Sequence, residues 1–168
     1  MKTIRFLLII LTGIFINSCA ILKDPIITKN DSIEKYKYVF IPKTSNLTSG
    51  TGGVYGNQNG TYGYSTSKSV NPKDVISGIL LKNGFIILPE MKQELIDKTI
   101  IINYGESGKR VIAGGLGGTT IEVTIKFISA KDYEVICSCT AEGQGSTEAD
   151  DIKEAITRCL ESLLSKEN

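Results

Sequence analysis

The stretch TTIEVTIKFISAKDYEVICSCTAE, residues 119–142, decides the fold. Apolar and polar residues alternate from Thr119 to Ile128. Ile121, Val123, Ile125 and Phe127 fall on one face, and Glu122, Thr124 and Lys126 on the other. A period of two marks a half-buried strand. Ser129–Asp132 turns the chain, and Tyr133 to Glu142 answers with Val135, Cys137, Cys139 and Ala141 on its inner face. Two such strands so close together predict an antiparallel hairpin with one wet face. The apolar face then needs a second layer over it.

That layer follows at once. Gly143-Gln144-Gly145 breaks the strand, and Thr147 and Asp150 have capping-box spacing with Asp in the place of Glu. A helix to about Leu164 carries the stripe Ile152, Ile156, Cys159, Leu160 and Leu163, with Glu154 and Arg158 as an i,i+4 pair on the outer side. Upstream, Asn71 and Pro72 suit an N-cap and first helical position. Val75, Ile76, Ile79 and Leu80 give that helix a buried face, and Asn83-Gly84 ends it with a left-handed cap.

The remaining strands are shorter. Tyr36–Ile41 is aromatic and β-branched and stops at Pro42. Phe85–Leu88 stops at Pro89, Glu90–Asp97 is a loop or one helical turn, and Thr99–Tyr104 is apolar enough to be central. Gly105–Arg110 is read as a turn, as is Ala113–Gly118. The first is no phosphate loop, because Asn103 and Arg110 occupy the places where Gly and Ser/Thr are required. The economical packing is an α+β two-layer sandwich: a mixed, mostly antiparallel sheet of about five strands with two helices on one face.

Thr44–Ser67 stands apart. It has no charged residue and consists mostly of Gly, Ser, Thr, Asn and Tyr. The glycines predict a loop within residues 36–168, a single domain. Asn59-Gly60 is a type I′ turn signal between Val54-Tyr55 and Tyr62-x-Tyr64, so the loop is expected to hold a small hairpin. Tyr55, Tyr62 and Tyr64 are the candidate partner contacts, since tyrosines on adaptable backbone make good binding surfaces. A solvated loop is the equal alternative. Too few apolar residues are present for a lipid-facing band.

At the amino terminus, MKTIRFLLIILTGIFINSC (1–19) has a positive start at Lys2 and Arg5 and an apolar run from Phe6 to Ile16. The run is too short to span a bilayer and has the flanks of a cleaved export signal, residues 1–18. Cleavage leaves 168 less 18, or 150 residues, enough for one domain with a real core. Loss of Lys2 and Arg5 takes 19 basic residues to 17 against 18 acidic ones, so charge makes no case for nucleic acid. Residues 19–35 read as a tether carrying Pro25, Asn30 and Asp31.

Ile16-Asn17-Ser18-Cys19 resembles the lipobox of bacterial lipoproteins, loosely and in the Bacteroidetes manner. The resemblance implies diacylglycerol on the Cys19 sulfur, an acylated amino terminus (palmitate among the acyl groups) and, by default, the outer membrane. Several buried acyl chains hold where one would not. Asp31-Ser32-Ile33 resembles the Asp-Ser/Thr-aliphatic motif of Bacteroidetes O-glycosylation, which marks Ser32. The pattern Ile-Glu-Val-Thr-Ile…Thr-Ala-Glu-Gly-Gln-Gly-Ser-Thr-Glu-Ala-Asp-Asp-Ile, residues 121–152, is similar to uncharacterised Bacteroidetes envelope lipoproteins. The element order resembles small periplasmic α/β domains of the curli-secretion lipoprotein and TolB amino-terminal type.

Catalytic chemistry finds little footing. The chain has no His, which removes a Ser-His-Asp triad and the commonest general base and metal ligand. Glu148, Asp150, Asp151 and Glu154 suit a helix's first turn better than a metal. Ser65 and Lys68 have Ser-x-x-Lys spacing without the accompanying motifs. Cys137, Cys139 and Cys159 lack a fourth zinc ligand and read as three buried, unbridged thiols. Packed layers sit about 10 Å apart and a disulfide wants Cα atoms at roughly 4.4–6.8 Å, so a bridge from Cys159 to the CxC strand requires the helix to dip close. The expected function is that of a non-catalytic, lipid-anchored envelope module that binds a protein partner, without metal or cofactor. A small-ligand carrier or hydrolase is the alternative.

Overall fold

The computed structural model describes residues 22–57, 60–112 and 118–165, with side chains throughout except at 51–57 and 60–66. Residues 1–18, read above as an export signal, and Cys19 lie outside the described residues. Among the described residues eight strands occur in chain order: β1 (Ile26–Lys29), β2 (Tyr38–Phe40), β3 (Leu47–Asn57), β4 (Gly60–Val70), β5 (Ile86–Leu88), β6 (Thr99–Val111), β7 (Thr119–Ser129) and β8 (Val135–Gly143). Helix α1 is Pro72–Lys82, α2 is Glu148–Leu164, and a short 3-10 helix spans Gln93–Lys98. Six strands form one mixed sheet in the order β1-β8-β7-β6-β2-β5, and β3 and β4 form a separate two-stranded ribbon. β2 runs parallel to both β5 and β6, and the other pairings are antiparallel.

The two helices cover one face of the large sheet. α2 packs on β7 and β8, and α1 packs on α2 and β5. The core between the layers holds Val39, Ile76, Leu80, Ile100, Val123, Ile125, Phe127, Ile152, Ile156 and Leu160, all fully buried. Both helix starts form as their residues dictate. The Asn71 side chain accepts from Lys73 N, with Pro72 next, and the Thr147 side chain accepts from Asp150 N. α1 ends in a Schellman motif: Gly84 N donates to Leu81 O (3.1 Å), Phe85 N donates to Leu80 O (3.1 Å), and Gly84 has φ +86°.

Several expectations are corrected. The tether over 19–35 contains β1, which adds a sixth strand by pairing Ile26 with Thr140 through Lys29 with Cys137. Ile27 is partly buried against the core, so this short segment both closes the outer edge of β8 and packs. Gly105–Arg110 does not turn the chain. β6 continues to Val111, absorbing an irregular register between Glu106 and Gly108 as a bulge, which costs little where glycine leaves the backbone free. Val135 is 38% exposed rather than inward. Phe127 pairs with Cys137 and Ile128 with Val135, so Ile136 is an extra residue that enters the core in place of Val135. Glu154 and Arg158 do not pair with each other. Glu154 accepts from Gln144 N (2.8 Å), and Arg158 Nη2 donates to Lys23 O (2.9 Å). The segment 44–67 is largely paired backbone, described next.

Candidate partner-binding site

The Gly-rich segment folds as a ribbon of two eleven-residue strands, extended beyond its turn signal to Leu47 and Val70. Its register is unbroken from Leu47 opposite Val70 to Asn57 opposite Gly60. Its root is held by the domain. Val70 is buried in the core and Leu47 packs against it. Thr44 Oγ1 donates to Asn71 Oδ1 (2.6 Å) and accepts from Lys73 N (3.1 Å), which ties the entry to the first turn of α1. Ser49 Oγ accepts from Ala149 N (2.9 Å), one of the free donors at the start of α2. Lys68 Nζ lies 2.8 Å from Asp150 Oδ2 and holds that carboxyl well below its usual range.

Pairing of 55 with 62 and of 53 with 64 puts Tyr55, Tyr62 and Tyr64 at positions of one ribbon face, the face that carries Leu47, Ser49, Lys68 and Val70 nearer the root. The side chains of the three tyrosines lie outside the described residues. Positions 65 and 68, three apart in an extended strand, fall on opposite faces, so the Ser-x-x-Lys spacing does not converge.

The edges of the large sheet are blunted in recognisable ways. β1 and β5 are only four and three residues long. β2 pairs with β6 only over Thr99–Ile101, and beyond that point the outer edge of β6 carries Glu106, Lys109, Arg110 and the bulge. Beyond its root, where Lys68 pairs with Asp150, the ribbon has none of these devices. Between Leu47 and Ser67 neither strand contains a charge, a proline or a register shift.

The other candidate residues separate. Ser32 is exposed on the turn after β1, where its Oγ accepts from Glu34 N (3.2 Å) and its own N–H is held by Asp31 Oδ1 (2.7 Å). Three of the four acids at the start of α2 have a structural partner: Asp150 takes Lys68, Asp151 accepts from Gly145 N, and Glu154 accepts from Gln144 N. Burial raises the Asp151 carboxyl above its usual range. Among the described residues no group of His, Cys, Asp and Glu could hold a metal ion, and no helix is long and apolar enough to cross a membrane. Cys137, Cys139 and Cys159 are buried, unbridged thiols.

One cluster escaped the sequence. Glu142, 2% exposed, receives Arg110 through Nε (3.0 Å) and Nη2 (2.6 Å), and Lys23 through its backbone N–H (3.2 Å) and Nζ (3.2 Å). Arg110 first, then Lys23, hold its carboxyl down at about 2 against the outward push of burial. The network fastens the chain at Lys23 to the end of β8. Alternation could have exposed Glu142 as a charge on a strand otherwise rich in small residues, but its partners come from 119 and 32 residues away.

Two recesses flank the sheet ends. One of about 860 Å³ opens between the β1–β2 turn and the ends of both helices, with Ile33, Tyr36, Phe85 and Leu163 among its walls and Glu34 and Lys37 at its rim. A smaller one, about 380 Å³, lies where the ribbon root meets the start of α2.

The sequence matches no protein-family model and no curated protein. Among solved structures, the PelC dodecamer from Paraburkholderia phytofirmans is similar in fold at 14% identity and a TM-score of 0.48, over 86% of this chain and 98% of that one. A PDZ domain protein from Parabacteroides distasonis is similar at 11% identity and a TM-score of 0.47, over 87% of this chain. The chain spans 36% of that protein's length.

Proposed function

We propose that the chain is a lipid-anchored, non-catalytic module of the bacterial cell envelope that binds a protein partner by strand pairing along the β3–β4 ribbon. The observation that carries this reading is the contrast in edges: the large sheet's are short, charged or bulged, while the ribbon's, between Leu47 and Ser67, are long, uncharged and regular. An unprotected strand edge is a template for another strand, with backbone hydrogen bonds supplying affinity. The lipobox-like Ile16–Cys19 supports the anchor, and its default address is the outer membrane. Lys23 is already fastened to Glu142, so about four residues, or ~14 Å of extended chain, separate an acylated Cys19 from the domain.

Crosslinking in the native bacterium, with a photoreactive residue at position 61 and another at the exposed Lys92 on the large-sheet side, tests the site. Adducts from 61 that vanish when Gly52 is replaced by Pro support pairing through β3. Adducts from 92 alone would sink it. Cys19→Ala should abolish fatty-acid labelling and leave uncleaved precursor, and normal maturation of that variant would overturn the anchor. A second reading, carriage of a small envelope ligand, is favoured by the 860 Å³ recess. A copurifying small molecule lost on Phe85→Ala, with ribbon variants unaffected, would replace the first reading with this one.

A further inference from the structure

The line where β8 meets α2 is narrower than a helix packed on a sheet normally allows. Gly143, Ala141 and Cys139 succeed one another on the inner face of β8, and Asp151, Ala155 and Cys159 at four-residue intervals on the facing side of α2. Two strand residues advance about 6.8 Å and four helix residues about 6.0 Å, so the two rows, running in opposite directions, stay in step. At the Gly143 end the backbones touch. A Cβ on Gly143 would lie 1.9 Å from Asp151 O and 2.5 Å from Ala155 N. At the next step both rows carry small, buried residues, Ala141 and Ala155. One step further along the same two rows stand Cys139 and Cys159, both at 0% exposure. Regular layer spacing argued against a bridge. This seam removes that argument for one pair.

We propose that Cys139 and Cys159 are a thiol–disulfide exchange site, closed to a disulfide during folding by a disulfide-bearing donor of an oxidising compartment, with Cys137 left as the thiol. The proposal rests on the export reading for access to such a donor. One cysteine thiolate attacks a donor sulfur, forming a mixed disulfide and releasing the donor's first thiolate. The second cysteine thiolate attacks the protein sulfur of that mixed disulfide, the Sγ–Sγ bond forms, and the donor's second thiolate leaves. Two protein thiols are oxidised, one donor disulfide is reduced to two thiols, and the two protein protons pass to them. The exchange belongs to folding, because once α2 docks on β8 neither sulfur is accessible.

The test is alkylation of the exported full-length protein under denaturing, non-reducing conditions, followed by peptide mass mapping. One alkyl group, on Cys137, together with a linked Cys139–Cys159 peptide pair is expected. Three alkyl groups, or a link that includes Cys137, would overturn the proposal. The mass of the amino-terminal peptide in the same sample reports export and acylation separately. If the chain proves not to be exported, refolding it from urea with glutathione disulfide replaces the first sample, and the same link is required. Cys137→Ser should retain the link, and Cys159→Ser should give two alkylated cysteines. Glutathione disulfide added to folded, reduced protein should form the link more than ~100-fold slower than in urea, because closure then waits on opening of the core. An equal rate would contradict the folding-time assignment.

Discussion

Two of the antiparallel hairpins among the described residues, β7–β8 and the β3–β4 ribbon, share a hydrogen-bonding pattern and differ in what holds them. In the first, Ile121, Val123, Ile125 and Phe127 are buried under α2, and Cys139 and Ala141 face the same helix. In the second, the contacts with the domain among the described side chains are made by the root residues Leu47, Ser49, Lys68 and Val70. A two-stranded hairpin without a covered face is marginal in water. Backbone pairing alone therefore does not distinguish a structural hairpin from an interaction element. Burial of alternate residues does.

The largest effect expected from disturbing this contrast lies at the β8–α2 seam. Gly143→Val places atoms inside the backbone of Asp151 and Ala155, where no flexible side chain can yield. Overpacking of this kind should cost about 3 kcal/mol or more. Gly105→Ala is the control in the same sheet, since a Cβ there meets nothing within 4 Å. It should fall within about 0.5 kcal/mol of the parent. Urea midpoints of the two variants decide the matter, and equal midpoints would mean that the seam is not tight.

Next in size is the Glu142 network. The folded carboxyl sits at about 2 and the ordinary value is 4.5. A depressed acid stabilises the fold fully above its ordinary value, and the contribution is lost as pH falls from 4.5 through about 2. The gap corresponds to on the order of 3 kcal/mol. Glu142→Gln should destabilise the domain near neutrality and flatten its stability between those two pH values. An unchanged acid limb in pH-dependent urea unfolding would show that Arg110 and Lys23 do little there.

What could be read from the residues follows the same division. Both helices, their caps, the five long-expected strands and the one-faced layering were legible, because alternation of apolar residues reports burial directly. β1 was not, since its four residues, IITK, draw their pairing from an edge more than a hundred positions away. Val135 was misplaced because a bulge shifts the period by one residue, and no local residue type announces it. The ribbon was half legible. Asn59-Gly60 marked the turn, but six glycines between Gly50 and Gly63 read as loop where the register is continuous. The root contacts and the unprotected edges, which make the ribbon a candidate site, appear only when the distant partners are in place.

A smaller effect belongs to the cap of α1. Gly84 has φ +86°, with nothing within 4 Å of a Cβ placed there, so Gly84→Ala costs conformational strain without a clash. About 1 kcal/mol is expected. This lies between the Gly143 seam and the ribbon, and thermal unfolding of the three sets of variants should rank them in that order.

The smallest expected change comes from removing the outer part of the ribbon. Replacing residues 51–64 by a short Gly-Ser link leaves Leu47, Ser49, Lys68 and Val70, which make the root contacts. The deleted strands contribute many glycines, whose ordering costs more backbone entropy than their pairing returns without a covered face. The melting temperature should stay within about 2 °C of the parent, equivalent to a fraction of a kcal/mol for a domain of this size. Position-specific crosslinks to the proposed partner should disappear in the same variant. A drop of many degrees would place the tyrosine rungs in the core and make the ribbon a second structural hairpin. Retained partner crosslinks would move the binding surface to the large sheet, where β6 beyond Ile101 offers the longest remaining edge.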